Sequence, residues 1–247
     1  MKNNFFNNYP ILNVYEKPSK KSNLSTQILY GEEFKLLNKK KNYLKIKTVY
    51  DNYTGFIKNR YFLKEYKPNY KIRVLKAQLF KLPFRNKFSK NFIPFLSKVE
   101  VTKKYKNYYM IGKNKWIKKN DVVKIEKKEL NFKKILRLFV SCKYLWGGKT
   151  YKGIDCSAIL QLFYKFNNIS FPRDTKDQIN YKKGTLKEKF KKGDIIFWKG
   201  HVAICIDSRK LIHAYGPAKK VIEMPIKETI KIINKTANLK VKKIYSI

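Results

Sequence analysis

The sequence predicts a multidomain chain in which two small β-barrels precede an α+β domain. Three observations lead there. The first half of the chain repeats itself, a lysine-rich stretch follows at Lys124 to Lys128, and beyond it the hydrophobic period changes from that of strands to that of helices and then back.

The repeat is loose but traceable. Val14-Tyr15 and Pro18 correspond to Leu79-Phe80 and Pro83, Phe34 to Leu36 corresponds to Val99 to Val101, and Asn42 to Leu44 corresponds to Asn107 to Tyr109. Gly55 to Ile57 then pairs with Lys115 to Ile117, and Tyr61 to Leu63 with Asp121 to Val123. The offset is about 65 residues at first and about 60 later, as a shorter hairpin in the second copy would produce. Each copy holds four or five short alternating strands. Leu44 and Ile46 share one strand face, Tyr43, Lys45 and Lys47 the other, and a turn falls at Asp51-Asn52. That pattern suits a small β-barrel, and the expected domains are 1–66, 67–126 and 127–247. One irregular β domain without a repeat is the alternative.

After the lysines, Leu130, Ile135, Leu136, Phe139 and Val140 recur at helical spacing. A second helix is expected from about Asp155 to Phe166, with Ile159, Leu162, Phe163 and Phe166 on its apolar face. Strands are expected at Asp194 to Trp198, His201 to Ile206 and Lys210 to Ala214, with turns at Lys199-Gly200 and Asp207-Ser208. Helices followed by an antiparallel sheet make this part α+β.

Composition bounds the partners. Lys+Arg of 58 against Asp+Glu of 17 gives a formal charge of +41, which on its face suggests a polyanionic partner. The excess is almost all lysine, spread through every segment together with Asn, Ile, Tyr and Phe, so AT-rich codon usage explains it better than a binding face. Nucleic-acid readers concentrate charge and use arginine for bidentate contacts, and no specific nucleic acid is expected here. Cys142, Cys156 and Cys205 make an odd count without metal-ligand spacing, so neither a disulfide framework nor a zinc site is expected, and no metal or organic cofactor is implied. The segment from Met1 to Pro10 lacks the apolar core of a secretory signal, and no run is long enough to span a bilayer. A cytoplasmic location is the expectation; the oligomeric state is left open.

The chemistry centres on Cys156. It follows Gly153-Ile154-Asp155 at the start of the second helix, where unpaired amides and the helix dipole favour a thiolate. Asp155, Ser157 and the glycine-rich approach argue against burial of that thiol, whereas Cys142 and Cys205 sit in apolar periodic settings. The only two histidines, His201 and His213, lie on adjacent expected strands. If those strands pair, both imidazoles can project from one face, His201 as general base and His213 to orient it.

Taken together, Tyr144-Leu145-Trp146-Gly147-Gly148, Asp155-Cys156-Ser157, Pro172-Arg173-Asp174, Gly193 to Phe197, His201 to Ile204 and Ile212-His213-Ala214 resemble the NlpC-type papain-like cysteine peptidases of bacterial cell-wall metabolism. The resemblance covers roughly residues 130 to 247. The front half resembles the paired bacterial SH3-like domains that precede this catalytic domain in its γ-D-glutamyl-L-diamino acid dipeptidyl-peptidase branch, notably at Thr26 to Glu32.

This resemblance implies hydrolysis of the bond between γ-D-glutamate and a diamino acid in peptidoglycan stem peptides. Cys156 would attack, His201 would move the proton and His213 would orient His201. The Cys156 amide and the Tyr144 hydroxyl would hold the oxyanion, with Asp155 and Ser157 lining the substrate site. Asp174 matches the acidic residue that binds the free amine of a terminal L-alanine, and Thr175 stands where the family often has serine. Glu32 and Tyr53 would complete the amine site, although a solvated turn carboxylate is an equal reading for Glu32. The branch with SH3-like domains trims released murein peptides in cell-wall recycling. Wall endopeptidase, amidase or acyl-transfer chemistry on the same fold, a non-catalytic wall-binding protein and a basic RNA-associated protein remain as alternatives.

Overall fold

The computed structural model describes residues 4–83 and 88–247. Met1 to Asn3, the start of the segment considered above for a leader, lie outside the described residues. The chain divides into two compact units, Met1–Lys128 and Glu129–Ile247. Among the described residues, no helix is long and apolar enough to cross a membrane.

The first unit is all β. Its leading strands are β1 (Asn4–Phe6), β2 (Ile11–Tyr15), β3 (Leu24–Leu29), β4 (Glu33–Lys40), β5 (Tyr43–Thr48) and β6 (Thr54–Lys58). They form one antiparallel sheet in the order β1-β4-β5-β6-β2-β3. The alternation in β5 is as the sequence pattern requires, with Leu44 and Ile46 buried and Lys45 exposed. Leu12, Val14, Ile28, Phe34, Leu44, Ile46, Ile57 and Phe62 close a core. Tyr61 to Leu63 do not form a strand; they make a single bridge from Leu63 to Phe6, and Phe62 turns into the core against Phe34. The N-terminal β1, which no alternation announced, pairs with the edge of β4.

The remaining strands of this unit are β7 (Tyr70–Ile72), β8 (Lys76–Phe80), β9 (Phe88–Pro94), β10 (Lys98–Val99), β11 (Lys103–Tyr105), β12 (Tyr108–Gly112), β13 (Lys115–Lys118) and β14 (Val122–Lys124). They make a three-stranded sheet, β10-β7-β14, and a five-stranded one, β11-β12-β13-β8-β9. A second core gathers Tyr70, Ile72, Ala77, Leu79, Ile93, Val99, Tyr109, Ile111, Ile117 and Val122, with Tyr30 reaching in from the first sheet's side.

The second unit has α1 (Phe132–Arg137), a short hairpin of β15 (Lys149–Thr150) and β16 (Gly153–Ile154), α2 (Cys156–Phe166), α3 (Thr175–Gln178), β17 (Asp194–Trp198), β18 (His201–Cys205), β19 (Lys210–Tyr215), β20 (Lys220–Pro225), α4 (Ile226–Ala237) and β21 (Lys243–Ser246). Its main sheet is antiparallel throughout, in the order β20-β19-β18-β17-β21. The first helix is shorter than its period suggests. Leu130 lies before it and is exposed, and the chain leaves helical geometry in turns that end at Ser141, whose φ is +66°. Ile135, Leu136 and Phe139 are buried all the same, at about 1.5–3 kcal/mol each for full burial of such side chains.

The second helix departs from expectation in another way. All eleven residues of α2 are buried, Gln161 and Lys165 included, so it is a central helix and not one with a single apolar face. It packs against β18 and β19 and so sets its N-terminus beside the strands that carry both histidines.

Candidate active site

Local structure fixes Cys156 at the first turn of α2. Asp155 is the N-cap, in extended conformation, and its carboxylate accepts the Ala158 amide at 2.8 Å. The same carboxylate accepts the Gly147 amide at 2.9 Å, the Ser157 hydroxyl at 3.0 Å, and two Arg173 guanidinium hydrogens at 2.6 and 3.0 Å. Arg173 also donates to the Ser157 hydroxyl at 2.8 Å. Asp155, Ser157 and Arg173 are each buried, so the pair is shielded from solvent and held by charge-assisted bonds. Asp155 and Ser157 were expected to line the substrate site. With these donors in place, Asp155 acts instead as the clamp that joins the 144–148 loop to the start of α2. Gly148 permits the close approach, since a Cβ there would collide with the Gly153 carbonyl.

Arg173 is a site residue that the sequence reading does not single out. Its position in Pro172-Arg173-Asp174 was the available signal, but nothing in the sequence said which carboxylate it would meet.

The sulfur of Cys156 is buried, contrary to the expectation from its polar neighbours, because β18 and the turn before it cover the helix start. Its thiol lies 4.0 Å from the Gly200 carbonyl, as a donor. Burial pushes the thiol up to about 12 and the Asp155 carboxylate adds to this, against the Val202 and Ser157 amides and the Arg173 charge. Helix-start amides are therefore present, but desolvation outweighs them, and the resting group is a neutral thiol.

Gly200, with φ of +75°, turns the chain from β17 into β18 and delivers His201. Ile204 opposes Ile212 across β18 and β19, a register that sets His201 and His213 on one sheet face. His201 Nε2 and His213 Nδ1 are 2.9 Å apart, which leaves Nδ1 of His201 as its second ring nitrogen. His213 is fully buried; its ring stacks on Tyr215 at 4.7 Å and 9°, and its Nε2 lies 3.4 Å from the Met224 sulfur. Burial pushes the His201 imidazole down to about 4, and burial together with the neighbouring His201 pushes His213 down to about 3. Both rings are neutral near pH 7. Met224 is the second residue that the sequence did not single out.

Tyr144 is half-buried. Burial raises its phenol, and the neighbouring Cys156 and Asp155 raise it further while Arg173 opposes them, which places its hydroxyl near the Cys156 end of the site. Asp174 directly precedes α3 and Thr175 opens it. The Asp174 carboxyl is raised by burial and lowered by Arg173 and Lys176. Cys156, Tyr144, Asp155 and Ser157 thus come together around Arg173, the Cys156 sulfur lies against the carbonyl of Gly200, the residue before His201, and His201 pairs with His213, with Asp174 and Thr175 following the Arg173 clamp in the chain.

Glu32 and Tyr53 belong to the first unit. Glu32 is buried, not solvated, and its carboxylate accepts the Leu29 amide at 2.9 Å to close the β3–β4 turn. Tyr53 is half-buried; its backbone N–H donates to the Thr48 hydroxyl at 2.9 Å and its carbonyl accepts the Thr48 N–H at 2.9 Å.

A thiol at a helix start, set against the turn that leads into a strand carrying one of two paired imidazoles, suits a cysteine-type hydrolase, and the enzyme class is cysteine peptidase. Residues 141–237 match the NlpC/P60 family and residues 12–62 the bacterial SH3 domain. The chain carries an NlpC/P60 domain behind a bacterial SH3 domain.

Among curated proteins, it is 25% identical over 232 residues to a gamma-D-glutamyl-L-lysine dipeptidyl-peptidase of Bacillus subtilis, covering 84% of this chain and 77% of that protein. It is 30% identical over 152 residues to the protein of the same name from Bacillus cereus, covering 54% of this chain and 44% of that protein, less than half its length. In fold it is similar to the crystal structure of an NlpC/P60 family protein from Bacillus cereus, with a TM-score of 0.78, 19% identity, and 90% and 94% of the two chains covered.

Proposed function

We propose that this protein hydrolyses the γ-D-glutamyl-diamino acid bond of peptidoglycan stem peptides, releasing L-Ala-D-Glu from free murein peptides during cell-wall recycling in the cytoplasm. The observation that carries the reading is the His201–His213 contact of 2.9 Å on strands packed by α2, with the Cys156 sulfur 4.0 Å from the carbonyl of Gly200, the residue before His201. The dipeptidyl-peptidase relatives, at modest identity, support the choice of bond.

The chemistry follows from the resting protonation. This chemistry requires the arrangement in which His201 Nε2–H donates to His213 Nδ1, so that His201 Nδ1 carries the lone pair that takes the thiol proton as Sγ attacks the γ-glutamyl carbonyl. Because the thiol starts neutral, proton transfer accompanies attack. The Cys156 amide and the Tyr144 hydroxyl are the donors for the tetrahedral oxyanion. His201 then returns the proton to the departing amine, leaving a thioester on Cys156. Water, deprotonated by the same imidazole, releases the acid and regenerates the thiol. Arg173, Asp155 and Ser157 hold the loop and helix start in register, and no cofactor enters.

Asp174, with Thr175 beside it, is the proposed partner for the substrate's free L-alanine ammonium, which needs a carboxylate if it is to leave water. We read the first unit as two SH3-like barrels, residues 1–66 and 67–126, ahead of a papain-like domain, residues 127–247; its two separate cores support this.

Kinetics on L-Ala-γ-D-Glu-diaminopimelate and its N-acetylated form test the dipeptidyl reading. A kcat/KM that falls at least a hundredfold on acetylation, and that Asp174→Asn lowers for the free-amine peptide alone, is expected. Equal cleavage of both forms would indicate a wall endopeptidase.

A further inference from the structure

His213 stands between two partners in the plane of its ring, and only one of them has been given a role. Its Nδ1 meets His201 Nε2 at 2.9 Å, and its Nε2 meets Met224 Sδ at 3.4 Å. Met224 lies on β20, where Leu211 opposes Met224 and Ile222 opposes His213. Met224 therefore shares the sheet face of His213, one diagonal step away, and its sulfur closes the far end of the imidazole.

Two neutral imidazoles joined by one hydrogen bond can place their protons in two ways. In the first, His201 Nε2–H donates to His213 Nδ1, His213 carries its own proton on Nε2, and His201 Nδ1 is a lone pair. In the second, His213 Nδ1–H donates to His201 Nε2, His201 carries its proton on Nδ1, and His213 Nε2 is bare. Only the first leaves His201 able to accept a proton from Cys156. The Met224 sulfur separates the two. A thioether has lone pairs and no hydrogen, so it accepts from an Nε2–H and repels a bare Nε2. Tyr215 cannot offset this, because its ring lies parallel to His213 at 9° and covers a face of the imidazole, not its edge.

We propose that Met224 is a positioning residue whose sulfur accepts the Nε2–H of His213 and so selects the tautomer pair that leaves His201 Nδ1 ready to act as base. The inference rests on the catalytic reading given to Cys156 and His201, but its primary test does not. His213 is fully buried, so bulk solvent does not reach Nε2 to compete for the selection. Burial also holds both rings neutral, the condition under which the tautomer matters. The thioether bears no charge and selects the tautomer without pulling the proton from the ring, as a carboxylate in that place would tend to do.

The chain has only two histidines, so ¹⁵N-histidine labelling gives a spectrum of four ring nitrogens. Long-range ¹⁵N–¹H correlation at neutral pH reads the tautomers directly. Wild type is expected to show protonated Nε2 and bare Nδ1 on both rings. Met224→Leu, close in volume but without an acceptor, is expected to populate Nδ1–H on His213 and to lower kcat about tenfold with KM unchanged. Met224→Gln, whose amide oxygen can accept, is expected to restore both. A wild-type spectrum with Nδ1–H on His213 would overturn the proposal even if the variants failed to fold. An unchanged spectrum in a folded Met224→Leu would do the same. The expected tautomers together with absent peptide cleavage by wild type would instead leave this inference standing and remove the proposed function.

Discussion

Arg173 and Asp155 form a buried pair, Nη2 to Oδ2 at 2.6 Å, with side chains 2% and 7% exposed. Through Asp155 the pair holds the Gly147 amide and the Ala158 amide together, so one carboxylate sets both the loop that carries Tyr144 and the helix turn that carries Cys156.

Removing the guanidinium strands that carboxylate. Arg173→Met is expected to cost about 3–5 kcal/mol in unfolding free energy, the usual penalty for breaking a buried pair from one side. Arg173→Lys should recover part of it but not the bidentate geometry. Urea unfolding midpoints measure both; a cost below about 1 kcal/mol for the Met variant would mean that water reaches Asp155.

The Cys156 thiol is held up at about 12 by burial. Its alkylation by iodoacetamide, located by peptide mapping, is expected to be slow at pH 7 and to rise about tenfold per pH unit through the alkaline range, following the thiolate fraction. A fast rate already level at pH 6 would reveal a thiolate–imidazolium pair in the resting enzyme.

The two imidazoles act as one unit. His201→Ala is expected to lower kcat by about 10²–10⁴, and His213→Ala by a smaller factor of about 10². The double variant should be no slower than His201→Ala alone, because orientation has no meaning without the base. Additive losses measured by steady-state kinetics would separate their roles.

Acid should destabilise the fold through the same rings. The unfolded imidazole takes up a proton near pH 6.5, whereas the folded His201 and His213 resist it down to about 4 and 3. Unfolding therefore takes up protons in that window. The histidine contribution is fully present above about pH 6.5 and is lost as pH falls toward those folded values, at up to about 1.4 kcal/mol per pH unit for buried His213. Thermal melts from pH 7 to 4 measure the slope, and His213→Gln should flatten it.

Much of the rear unit was legible because its strands are short and bounded by turn residues. Asp194–Trp198 and the two histidine strands lie where alternation and the Gly200 turn put them. What the sequence hid depends on tertiary contact. The burial of Cys156 could not be read, since the polar neighbours that argued for exposure are consumed by Arg173. The all-round burial of α2 was masked by Gln161 and Lys165. Strand β20, which supplies Met224, and helix α4 were not anticipated, because their alternation is diluted by the lysines spread through the chain. Leu130 and Val140 kept helical spacing yet lie outside α1, where a period of a few residues cannot tell a helix from the turns that follow it.

The most direct measurement is mass spectrometry of L-Ala-γ-D-Glu-diaminopimelate after incubation with purified wild type and with Cys156→Ala. The account predicts L-Ala-D-Glu and free diaminopimelate from the wild type, and no product from the variant. Cleavage that survives in Cys156→Ala, or that falls at the L-Ala–D-Glu bond, would contradict it.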